Sequence, residues 1–198
     1  MDSNSQALAD TVVSRAIIVG VGRAGLEVVQ AVRRRLEERV APNLPMIRYL
    51  IVAEQAALDS AGIKEDKYLA CLPVQWHAAD VDPVRQLADV APWLPDVDAG
   101  KLGEPHCRAA ARLCLIKHYS DIWSTVKRLL LDIATPVGEH IEERRQPSTF
   151  FYLIASLADP LAGGLTVDLA YLLGQAIRPV QDENVPGMEG DEIGRAHV

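Results

Sequence analysis

Two stretches of this chain share one order: a short apolar run, a turn of small residues, then an amphipathic helix. The first is Ala16-Ile17-Ile18-Val19, followed by Gly20-Val21-Gly22-Arg23-Ala24-Gly25 and a helix opening at Gly25. The second, Thr149–Arg178, reads TFFYLIAS, then LADPLAGG, then LTVDLAYLLGQAIR. A strand that stops at a glycine turn and re-enters as a helix aims several main-chain N–H groups at one spot. The helix N-terminus is partly positive and its first donors lack partners, so that spot suits an anion. Apolar runs without alternation belong to strands buried on both faces of a parallel sheet. The pair therefore predicts an α/β fold, a doubly wound and mostly parallel sheet of the Rossmann-like, nucleotide-binding kind.

The rest of the chain fits this frame. The first helix runs to about Val40, with Leu26, Val29, Val32, Leu36 and Val40 on one face and charged residues on the other. Pro42 and Pro45 end it, and Met46–Ala53 forms the second strand, completing a βαβ unit with a right-handed crossover. Residues 54–105 read as loops and short helices over one end of the sheet, with Tyr68–Val74 as a further strand and Trp76 and Trp93 as packing anchors. A long helix is expected from His106 to about Ala134, on the period of Leu115, Tyr119, Ile122, Val126, Leu129 and Ile133. Pro136 and Gly138 stop it before a charged turn, Glu139–Gln146, and the strand Thr149–Ala155.

Composition narrows the function. The chain has 198 residues, enough for one domain with a full core or for part of a larger one. With 49% hydrophobic and 24% charged residues it reads as soluble and globular, and no apolar run approaches the ~20 residues that span a bilayer. The polar start, residues 1–14, is a flexible lead-in without a basic n-region, so the cytoplasm is the expected location. A net charge of −7 argues against nonspecific nucleic-acid binding. Cys71, Cys107 and Cys114 have no metal spacing and read as buried free thiols, and His77, His106, His118 and His140 form neither a zinc set nor a catalytic triad. Residues 181–191 read as a loop. The closing Ile193-Gly194-Arg195-Ala196-His197-Val198 matches one frame of a short-read sequencing adapter; residues 192–198 are therefore set aside, the alternative being a genuine polar tail.

Several segments, in order, resemble the tubulin/FtsZ superfamily, in particular the bacterial tubulin-like proteins. IIVGVGRAGLEVVQAVRRRL is similar to that family's first strand, glycine loop and first helix. WLPDVDAGKLGEPHCRAAARLCL resembles its Trp-Pro element, Gly-Ala-Gly loop and Arg-rich helix start. FYLIASLADPLAGGLTVDLAYLLGQAIR resembles its fourth strand, GGTGSG loop and following helix. The resemblance spans about residues 15–180 and implies a partial tubulin-like nucleotide-binding domain. It implies binding of GTP with Mg²⁺ and head-to-tail self-association. It also implies GTP hydrolysis only in the full-length, assembled protein, because the activating acidic residues come from a neighbour's second domain. Carried over position by position, it gives Gly20, Gly22, Arg23, Ala24, Gly25, Ala162, Gly163, Gly164 and Thr166 as the nucleotide-binding set.

The chain departs from the family where the phosphates would sit. Aligned on Asp168–Leu173, the GGTGSG positions fall on Asp159-Pro160-Leu161-Ala162-Gly163-Gly164. Pro160 has no N–H to give, Leu161 stands in place of a hydroxyl, and Asp159 brings a carboxylate to the phosphate path. The nucleotide site reads as eroded, which leaves a second expectation: a degenerate scaffold that keeps the fold and assembly surfaces but binds no nucleotide. A third, an NAD(P)-binding Rossmann oxidoreductase, rests on Gly20-x-Gly22-x-x-Gly25 alone, with Glu54 at the second strand's end, 29 residues beyond Gly25, a little late for the acidic partner. Structural roles compete at each position. The glycines can serve a ligand-free turn, and Thr166 or Asp168 can cap the helix. The Arg33–Arg35 and Arg39 cluster is a solvated face or a partner surface. Arg108 and Arg112 pair with acidic residues or reach toward a nucleotide.

Overall fold

The structure, a computed structural model, describes residues 15–41, 44–75, 108–134 and 149–177. Arg15–Val21 forms β1, Gly22–Arg39 α1, Ile47–Glu54 β2, Gln55–Ala61 α2 and Leu69–Val74 β3. Arg108–Lys117 forms α3, Tyr119–Ala134 α4, Thr149–Ala155 β4 and Pro160–Ile177 α5. All strand pairs are parallel, and the order is β3-β2-β1-β4. Ile18, Tyr49, Ile51 and Ala53 pack under α1 and α2 on one face. Ile17, Val19, Leu50 and Val52 pack under α3, α4 and α5 on the other. This is the doubly wound α/β arrangement that the apolar strands predict. β1 and β2 are covered on both faces, so removing a side chain such as Ile17 or Leu50, both 0% exposed, costs about 2–5 kcal/mol. No helix of the described residues is long and apolar enough to cross a membrane.

The structure corrects several boundaries. α1 begins at Gly22, three residues earlier than expected, and ends at Arg39, which leaves Val40 exposed beyond its end. The long helix expected from residue 106 is two helices that meet at His118. Hydrogen bonds still cross the junction, from His118 N to Cys114 O (3.0 Å) and from Ile122 N to His118 O (2.9 Å). The His118 ring meets the chain just past β3, accepting at Nε2 from Gln75 N at 3.3 Å. Tyr119, expected on the apolar face, is exposed and stacks on Trp123 with centroids 6.3 Å apart. A short helix, α2, lies at the start of the stretch read as loops and short helices. Trp76, Trp93, His106, the turn at 139–146, the lead-in and the tail lie outside the described residues.

The largest correction concerns residues 157–164. The expected turn of small residues is already helix: α5 starts at Pro160, and Gly163 and Gly164 lie inside it. Their smallness serves helix packing. A Cβ on Gly164 would collide with the Arg108 carbonyl oxygen and come within 2.5 Å of the Ala111 Cβ, so α3 crosses α5 there at close range.

Arg48, the second residue of the apolar strand β2, is only 4% exposed. Its guanidinium donates to Pro45 O and Ile47 O (2.9 Å each) and to Asp132 O in the last turn of α4 (3.2 Å), and it lies over the Tyr68 ring. Two main-chain carbonyls at the start of β2 and one at the C-terminus of α4 thus hold this buried cation.

The glycine crossing predicts a contrast within one helix. Gly164→Ala should destabilise the fold by about 1–3 kcal/mol through overpacking. Gly174→Ala, where an added Cβ meets nothing within 4 Å, should stabilise it by about 0.5–1 kcal/mol. Urea unfolding of both variants measures this, and equal stabilisation of the two would mean that α3 does not approach Gly164.

Candidate functional site

β1 sits at the point where strand order reverses, with β2 on one side and β4 on the other. In open α/β sheets ligands bind outside the carboxyl ends of the strands at such a switch point. α1 leaves β1 there and α5 leaves β4 there, so two helix N-termini converge.

The three glycines of the first turn do different work. A Cβ on Gly20 would lie 2.6 Å from Gly25 O and 2.7 Å from Val29 Cγ2, and one on Gly25 would lie 2.6 Å from Ile154 O. Gly20 and Gly25 therefore let α1 seat directly on β1 and β4. Gly22 has φ +69°, which side chains rarely adopt, and a Cβ on it would collide with Asp159 Oδ2. The space kept clear at Gly22 is filled by a carboxylate of the same chain.

Asp159 is the hub of the site. Its Oδ2 accepts from Arg23 N in the first turn of α1 at 3.2 Å, across 136 residues of sequence. Its Oδ1 accepts from Ala162 N in the first turn of α5, also at 3.2 Å. Its main-chain carbonyl accepts from Gly163 N at 2.7 Å, and its own N donates to Ser156 O at 3.0 Å. Asp159 is thus the N-cap of α5, and Pro160 occupies the first helical position, where a missing N–H costs nothing. The same carboxylate also satisfies a donor of α1.

The remaining members of the predicted set separate. Gly22, Arg23 and Ala162 meet at Asp159, and Ala24 is half-buried in the first turn of α1. The Arg23 side chain turns to Glu27 Oε1 at 3.3 Å, with both side chains exposed. Gly163 serves the turn of α5 and Gly164 the crossing with α3. Thr166 does not face the site: its hydroxyl donates back to Ala162 O. Arg112 forms a bidentate pair with Asp168, Nε to Oδ2 at 2.6 Å and Nη2 to Oδ1 at 3.3 Å, and Arg108 Nη2 donates to Leu157 O at 3.2 Å.

Beside Asp159 opens a cavity of about 350 Å³ lined by Arg23, Glu54, Ala56, Ala57, Ser60, Asp159, Pro160 and Leu161. Its α2 side, Ala56 to Ser60, lies in the stretch read as loops and short helices, where the sequence carries no site signal. The Asp-Pro pair at 159–160 is itself a helix-start signal, and weighing it would have moved the start of α5 to Pro160. Among the described residues no group of three or more His, Cys, Asp or Glu side chains is placed to hold a metal ion. Burial, with Glu65 and Asp66 nearby, pushes the Cys71 thiol up to about 11, which makes it a poor nucleophile. Family models, curated proteins and solved structures give no match to this chain.

Two outcomes follow from this geometry. Asp159→Ala, which strips a cap from α5 and a donor's partner from α1, should lower stability by about 1–2 kcal/mol in urea unfolding; an unchanged midpoint would deny the bridge. Cys71, with roughly one thiol in a thousand ionised at pH 8, should react with a thiol reagent about two orders of magnitude more slowly than free cysteine. Labelling a chain with Cys107→Ser and Cys114→Ser measures that rate directly.

Proposed function

We propose that this chain is a tubulin-like assembly scaffold that works without nucleotide. The observation that carries this reading is the Asp159 carboxylate, held between the first turns of α1 and α5 where a phosphate would sit. A phosphate entering beside it meets a like charge. At about 4 Å and the effective dielectric of a protein surface, each unit-charge pair costs ~4 kcal/mol, close to three orders of magnitude in affinity. Entry also requires Arg23 N and Ala162 N to give up their present acceptor. Pro160 offers no N–H and Leu161 no hydroxyl in compensation. The same obstacle faces the pyrophosphate of a nicotinamide dinucleotide.

Assembly surfaces remain. On β4, Phe150 and Tyr152 are 47% and 55% exposed, and on α5 Val167 and Tyr171 are exposed. Exposed aromatic residues on a strand and its following helix suit protein contact.

A second reading, GTP binding of the tubulin kind, is favoured by one observation: two helix N-termini still converge beside Gly22. Titration calorimetry with GTP and Mg²⁺ separates the two. The scaffold reading expects no binding up to about 1 mM. It also expects that replacing Asp159 by Gly, Pro160 by Gly and Leu161 by Thr together raises GTP affinity at least tenfold. Micromolar binding by the unaltered chain would overturn it. Sedimentation should show any self-association unchanged by GTP.

A further inference from the structure

We infer that β4 is a pairing edge: its free side takes β4 of a second copy, antiparallel, so that two chains share one continuous sheet across a two-fold axis. This inference rests on the scaffold reading, for which it names the partner and the contact.

The two edges of the sheet are built differently. β3 is closed to pairing. Leu69 N donates to Asp66 Oδ1 at 3.0 Å, and Leu69 O accepts from Asp66 N at 3.1 Å. Cys71 N donates to Glu65 Oε1 at 2.7 Å, and Pro73, the next residue in that alternation, has no N–H. The donors that would meet a further strand are thus spent or missing, and Glu65 and Asp66 add charge. Charges and proline are the means by which proteins protect a sheet edge. β4, at the other end of the order β3-β2-β1-β4, has neither. Its sequence is TFFYLIA, and none of its residues is buried, whereas β1 and β2 are buried along most of their length. An apolar, uncharged edge of this kind is a template for another strand.

Register and charge select the occupant. Phe150 and Tyr152 lie on the α1 side of the sheet, in line with Ile154, yet both are exposed. With the two-fold axis at Phe151, Phe150 stands opposite the partner's Tyr152, and Tyr152 opposite the partner's Phe150. Two aromatic cross-strand pairs then form at once. Both copies of α5 lie on one face of the joined sheet. The exposed positions of α5, from Val167 and Tyr171 to Ile177, carry no charge, whereas α1 exposes Arg34, Arg35 and Glu38 and α4 exposes Asp121, Lys127 and Arg128. A two-fold contact apposes a patch to itself, so a charged patch repels its own copy and this uncharged flank does not.

Sedimentation equilibrium of the whole chain tests the pairing. At about 100 µM the chain should be a dimer, and Tyr152→Lys should weaken the dimer at least tenfold. Val28→Lys, at an exposed apolar position on α1, should leave it unchanged. Both positions are exposed, so melting temperatures report whether each variant is folded. Hydrogen exchange on the unaltered chain gives a second readout: as concentration rises, β4 amides should slow and β3 amides should not. A monomer at about 100 µM, a dimer that Tyr152→Lys leaves intact, or β4 amides indifferent to concentration would overturn the inference. Micromolar GTP binding would sink the scaffold reading, whereas a monomer that binds no GTP would sink this inference alone.

Discussion

One carboxylate organises the carboxyl edge of this sheet. Asp159 accepts from the first turn of α1 and from the first turn of α5, and so ties the β1–α1 unit to the β4–α5 unit at the point where strand order reverses. Each helix begins with donors that need an acceptor and with positive potential that needs an anion. In nucleotide-binding α/β domains an external phosphate meets both needs. Here the Asp159 carboxylate accepts one such donor from each helix.

That substitution reorders the local chemistry. The positive φ at Gly22, the close seating of Gly25 on Ile154 and the start of α5 at Pro160 all remain compatible with a phosphate-binding fold. What differs is occupancy: a fixed negative charge now stands where a mobile one would bind. The neighbouring cavity is lined by Arg23, Glu54, Ser60 and Asp159 together with Ala56, Ala57, Pro160 and Leu161.

The sequence made much of the fold legible because its strands are continuous apolar runs. β2 and β4 lie within one residue of their expected bounds: β2 is buried on both faces, and Phe151, Leu153 and Ala155 pack on the core along one face of β4. Arg48 was not legible as a core residue, because the carbonyls that hold it include one from Asp132, which only the tertiary fold brings near. The contact of the His118 ring, between α3 and α4, with Gln75, 43 residues away, was likewise not legible. At the site, the first glycine pattern marked the junction of β1 and α1, but spacing could not tell a glycine that clears room for a ligand from one that lets two helices touch. Gly164 is of the second kind. Asp159 was recognised as an obstacle to phosphate, and its role as a cap shared by two helices became visible only when both helix starts were in view.

The central claim is that Asp159 permanently occupies the seat between α1 and α5. Amide resonances of Arg23 and Ala162 report on it directly, since both N–H groups point at the carboxylate. In a ¹H–¹⁵N titration with GTP and Mg²⁺, the account predicts that neither resonance moves in the unaltered chain, while both move together once Asp159 is replaced by Gly. A saturable shift of both resonances with Asp159 in place would contradict it.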